Sequence, residues 1–78
     1  MDALTRAEVA ILTLVDFGLS NDEIAAKLAI AVGTVKWHLH QVFEKLQARN
    51  RTEAVAKARE RGILPMSATR TGIQPLEP

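Results

Sequence analysis

Within a dozen residues the chain gathers a hydroxyl (Thr34), an ammonium (Lys36), an indole (Trp37), two imidazoles (His38, His40) and a carboxamide (Gln41). These groups do not make a catalytic set. There is no Cys and no Tyr, the only serines are Ser20 and Ser67, and no carboxylate pair has an evident pocket. His38 and His40 cannot share a metal ion, because two residues along a helix turn their side chains roughly 200° apart. No enzymatic activity, metal or cofactor is expected. What the cluster offers is hydrogen-bond donors, an amide that both donates and accepts, and a flat apolar ring. Those are the groups that read base edges in a DNA major groove.

Spacing decides which of them face outward. Val35, Leu39, Val42 and Leu46 recur at i, i+4, i+7 and i+11, with Phe43 beside them, so this stripe belongs to the core. At about 100° per residue, Gly33, Trp37, His40, Gln41 and Glu44 lie opposite, and Thr34, Lys36, His38 and Lys45 lie on the flanks. A lone Trp in a small helical protein is usually core, but burying Trp37 would expose the aliphatic stripe. An exposed indole can lie against a thymine methyl or a sugar, or anchor a protein interface. Lys36, near the helix start, suits a base edge or a phosphate. His40, one turn on, can donate to guanine or phosphate, and the Gln41 amide suits adenine.

The elements that position this face have clear punctuation. Helix 1 is expected from Thr5 to Phe17, with Thr5 and Glu8 spaced as a capping box and Leu4 and Val9 as a hydrophobic staple. Ala7, Ile11, Leu14 and Val15 share one face, and Gly18 supplies a left-handed stop. Ser20 with Glu23, and Leu19 with Ile24, repeat both devices for helix 2, about Asn21–Leu28, which buries Ile24, Ala25 and Leu28. Helix 3 spans about Val32–Leu46. After the basic loop 47–51, Thr52 caps helix 4, Glu53–Arg61, with Glu53 and Lys57 as an i, i+4 pair and Gly62 as its end. The fold class is all-α, a compact four-helix bundle over residues 1–64. All three prolines lie in 65–78, a segment without periodicity that is expected to be a disordered tail.

Two helices joined by so short a step form the geometry that projects the second into a major groove. Ser20 and Asn21 at the start of helix 2, and Thr34 near the start of helix 3, offer hydroxyl, amide and backbone N–H groups to phosphates. Capping is the simpler role for each. Arg49 and Arg51 in the following loop, and more weakly Lys27 and Lys45, are further backbone candidates.

Bulk properties are consistent with this. Hydrophobic residues make up 47% and aromatics 4% of 78 residues, so a modest core must be Leu, Ile, Val and Ala. The formal charge is only +1, but residues 2–32 hold five acids against two bases, while 33–51 hold four bases against one acid. The absence of Cys fits a cytoplasmic setting, no run approaches a membrane span, and the N-terminus has no signal-peptide pattern.

Taken together, several runs resemble the C-terminal helix-turn-helix domain of the LuxR/FixJ/GerE family of bacterial transcription regulators. They are Leu4-Thr5 with Glu8, Gly18-Leu19-Ser20-Asn21 with Glu23-Ile24-Ala25, Thr34-Val35-Lys36 with His38, Lys45-Leu46, and Arg49 to Ala54. The resemblance covers Leu4 to about Leu64. Lys36-Trp37-His38-Leu39 and the RTEAVAKARERGIL ending look most like the large MalT-type branch, in which this unit terminates a longer chain. A free-standing GerE-like regulator is the other setting. The resemblance implies that helix 3 reads the major groove, with the residues aligned with Lys36, Trp37 and His40 on bases. Ser20, Thr34, His38 and the Arg49/Arg51 region would meet the backbone. It also implies a homodimer on a twofold-symmetric site through helix 4, where Val55, Ala56 and Arg59 can form the surface, and RNA polymerase as a further partner. Packing on helix 1 accounts for Val55 equally well.

Three departures from the family pattern carry expectations. Ala10 stands where Glu is usual. Ala29 replaces a frequent Gly in the turn, which calls for a turn without positive φ there. Ala31 replaces the usual Ser or Thr cap of helix 3, a loss of about 1 kcal/mol, and Gly33 weakens that end by roughly as much again. A helix 3 start that frays without DNA follows. The competing reading, from another functional class, is a protein-interaction module using the helix 3 face around Trp37. Lys36, Arg49 and Arg51 count against it, because interface cores tend to lose lysines.

Overall fold

The computed structural model describes residues 3–65, and the expected tail, 65–78, lies outside them except for Pro65 at its edge. Four helices follow in order: α1 Arg6–Asp16, α2 Asn21–Leu28, α3 Val32–Leu46 and α4 Arg51–Glu60. There is no strand among the described residues. The helix 3 boundaries and the helix 2 boundaries agree with the sequence reading to the residue.

The starts are set by short-range hydrogen bonds. Thr5 Oγ1 accepts from the Glu8 N–H while Glu8 Oε1 accepts from the Thr5 N–H, and Ser20 and Glu23 do the same for α2. Both expected capping boxes are present. The start of α4 differs from expectation. Asn50, not Thr52, is the cap, its Oδ1 accepting from the Glu53 N–H at 2.8 Å. Either residue type can cap, but only Asn50 places Glu53 at the third helical position with its N–H in reach. Glu53 does not reach Lys57 either. Its carboxylate takes the Arg49 N–H at 2.7 Å, and Lys57 Nζ donates to the Gln47 carbonyl at 2.7 Å.

All four helices stop in the same way. One residue past α2 and α3, and two past α1 and α4, the backbone turns left-handed: Ala29 (φ 59°), Gln47 (φ 56°), Gly18 (φ 91°) and Gly62 (φ 76°). The next N–H then reaches back five residues, Leu19 to Leu14, Ile30 to Ala25, Ala48 to Phe43 and Ile63 to Ala58, at 2.8–3.1 Å. This is the Schellman closure. Leu19, Ile30, Ala48 and Ile63 all pack against the core, so each reversal is fixed by an apolar residue as well as by a hydrogen bond. Ala29 therefore corrects the expectation for its turn. The backbone does need positive φ there, and the 6→1 bond together with half-buried Ile30 holds an alanine in it.

The core follows the α3 stripe. Val35, Leu39, Val42 and Leu46 are buried with Ile11, Leu12, Val15, Ile24, Ala25, Ala54, Val55, Ala58 and Leu64. On α1 the buried face is rotated from the expected one. Leu12 is fully buried, whereas Ala7 is exposed and Leu14 only half-buried. Glu8, which is 3% exposed, completes this buried face at a position where an apolar residue would be expected.

Candidate nucleic-acid interface

The buried stripe of α3 fixes what its other side can do. With Val35 and Leu39 turned inward, Trp37 is left 59% exposed, its ring edge-on to His38 with centroids 5.1 Å apart. Lys36 and His40 are exposed beside it, and Gln41 is half-buried at the edge of the stripe. His40 Nε2 lies 3.3 Å from a Glu44 carboxylate oxygen. That pair is local and at i, i+4 spacing, so Glu44 could have been singled out from the sequence but was not.

Three elements converge on this face. Asn21 at the start of α2, Lys36, Leu39, His40 and Phe43 of α3, and Arg51 at the start of α4 line one hollow of about 280 Å³. The convergence is built by Arg51, whose guanidinium donates to the Leu19 carbonyl at 3.2 Å and to Asn21 Oδ1. This tie joins the first turns of α2 and α4, leaving Asn21 and Arg51 at the rim with structural duties of their own. Ser20 is likewise engaged in its capping box, though exposed. Thr34 is exposed in the first turn of α3, and Ala31 before it provides no side-chain cap. His38 is half-buried, and its Nδ1 is buried without a hydrogen-bond partner among the described residues. The Arg49 side chain is 89% exposed, 3.8 Å from Glu53.

Lys45 is placed elsewhere. Its ammonium donates to Glu8 Oε1 at 2.8 Å and to the Ala3 carbonyl at 3.3 Å, and its side chain is 19% exposed. It thus ties α3 to the first turn of α1 and turns away from the Trp37 face. Burial pushes the Glu8 carboxyl upward, but the Lys45 hydrogen bond, the Thr5 N–H and the lysine's charge outweigh it and hold the group below the usual carboxylate range. Of the helix 4 residues, Val55 is buried and Ala56 is exposed. Arg59 is paired with Asp16 at 2.5 Å. All three line a second hollow of about 280 Å³ between α1 and α4, with Val15, Asp16, Arg51 and Thr52.

A helix entered through a three-residue turn, anchored by one apolar stripe and presenting Lys36, Trp37 and His40 on the other, defines a helix-turn-helix DNA-binding domain. Residues 2–58 match the bacterial regulatory proteins, luxR family, and the chain belongs to that family. It is similar to the HTH-type transcriptional regulator AlkS of Alcanivorax borkumensis, 44% identical over 78% of this chain and 7% of AlkS. The HTH-type transcriptional regulator MalT of Serratia proteamaculans is 42% identical over 73% of this chain and 6% of MalT. Among solved structures, the response regulator ChrA of a heme-sensing two-component system superposes with a TM-score of 0.79 at 42% identity, covering 82% of this chain and 32% of ChrA. The chain thus spans less than a tenth of the length of AlkS and MalT and about a third of ChrA.

Proposed function

We propose that this domain recognises a short duplex DNA site by seating α3 in the major groove, as part of a cytoplasmic transcription regulator with no catalytic role. Lys36, Trp37, His40 and Gln41 meet bases. Ser20, Asn21, Thr34, His38, Arg49 and Arg51 meet the backbone. Lys45 is left out of that set, because Glu8 holds its ammonium. Two copies pair on a twofold-symmetric site through α4 around Ala56, Val55 and Arg59, and the regulator then engages RNA polymerase. A longer chain of the AlkS or MalT kind supplies the signal. The observation that carries the reading is the exposed Trp37 flanked by Lys36 and His40, opposite a fully buried stripe on the same helix.

The test is fluorescence anisotropy of the domain against a randomised duplex pool at low and moderate salt, followed by sequencing of the bound fraction. Salt-sensitive binding with an enriched symmetric motif is expected, since phosphate contacts release counterions. Lys36→Ala should weaken binding and lower the salt slope by about one if Lys36 meets a phosphate, or relax one base position if it meets a base edge. Folded protein that binds no duplex at low salt would move Trp37 and the α3 face to the protein-interaction reading.

A further inference from the structure

The exposed side of α3 carries one group that works against binding a polyanion. Glu44 is the single acid among residues 33–51, it lies on the same stripe as Trp37 and His40, and its side chain is 65% exposed. Its carboxylate is paired with His40, whose side chain is 68% exposed. Nothing in the core demands this pair. It is also in the weaker of the two helical orientations, with the acid on the C-terminal side. Lys36 and Arg51, which line the hollow beside His40 together with Asn21 of α2, keep the surroundings positive.

The chemistry of such a pair is selective. Contacts to phosphate carry no sequence information and dominate binding to arbitrary DNA, whereas base-edge hydrogen bonds carry the specificity. Glu44 opposes the first kind in two ways. Its charge is repelled by phosphates, and its hold on the imidazole directs the ring along the helix and offsets any positive charge the ring carries. The second kind is left available, because Glu44 faces only Nε2 and the ring's Nδ1 can still hydrogen-bond to a base edge. We propose that Glu44 is a positioning residue that sets specificity: paired with His40, it suppresses binding to arbitrary duplexes and reserves His40 for bases of the cognate site. This rests on the DNA-binding reading above.

The experiment titrates the 78-residue chain, Glu44→Gln, His40→Ala and the double variant against the selected duplex and a scrambled duplex of equal length, at two salt concentrations. Both positions of change are exposed, and circular dichroism checks the fold of each variant. Glu44→Gln is expected to tighten scrambled binding about three- to fivefold, the upper part of the range of an exposed charge pair, while cognate affinity stays nearly constant. The cognate-to-scrambled ratio therefore falls. In the His40→Ala background the same substitution should shift that ratio by half as much or less. Equal tightening on both duplexes, no tightening, or an undiminished effect without His40 overturns the proposal. If the parent chain binds neither duplex in a salt-sensitive manner, the DNA-binding reading falls and this inference with it.

Discussion

Lys45 is a cation on the recognition helix whose role is inside the protein. Its partner Glu8 is 3% exposed and also serves the α1 cap, so the pair joins two elements at a point where neither charge could stand alone. Removing one partner of a buried pair costs more than the pair contributes, because the other charge is left desolvated. Lys45→Ala is accordingly expected to lower stability by about 3 kcal/mol in urea unfolding, with no change in the salt slope of DNA binding. The pH dependence follows from the lowered Glu8 carboxyl. Ionised Glu8 is favoured by the folded state, so its contribution is complete above the unfolded-state value, roughly 4.3, and is lost as pH falls through the lower folded-state value. Thermal melts between pH 7 and pH 3 should show this acid loss. Glu8→Gln, which preserves the capping geometry, should flatten it from a lower starting stability.

At the scale of the element, the two helix ends that flank α3 are its strained points. Ala29 and Gln47 hold left-handed backbone that costs a Cβ-bearing residue about 1 kcal/mol or more, and Ala31 leaves the α3 start without a side-chain cap. Ala29→Gly and Gln47→Gly are each expected to stabilise by about 0.5 kcal/mol, the relieved strain exceeding the added freedom of the unfolded chain. Ala31→Ser should add about 1 kcal/mol. In the parent protein, amides of residues 32–36 should exchange faster than those of 38–42. Uniformly strong protection across both would refute a frayed start. These ends also show what was legible in the sequence. Both capping boxes and the α3 stripe could be read because partners three or four residues apart fix them. The left-handed Ala29 could not, since Gly is the residue that usually marks that conformation. The links of Glu8 to Lys45, Asp16 to Arg59 and Leu19 to Arg51 span 37, 43 and 32 residues. No local pattern signals them, and they engage three cations expected at contact surfaces, Lys45, Arg51 and Arg59, within the protein.

At the scale of the whole molecule, the formal charge of +1 leaves little general attraction to DNA, and in the proposed complex, with Lys45 committed to Glu8, the α3 face would rely on Lys36, Arg49, Arg51 and the His40 ring. So few phosphate contacts would give one copy a weak hold, because counterion release scales with their number. Pairing two copies makes the second contact intramolecular and multiplies affinity without any new base contact. The α1–α4 flank suits that purpose: no α3 residue lines it, it is hollowed beside Val55 and Arg59, and Ala56 at its lip is small and exposed. A charge placed there would be desolvated in a twofold interface and would face its own copy. Ala56→Asp is therefore expected to weaken binding to a duplex carrying two half-sites at least about tenfold, while leaving binding to a single half-site unchanged. Anisotropy titrations on the two duplexes separate the effects. Equal losses on both would place Ala56 at the DNA, and no loss on either would move the pairing surface off α4.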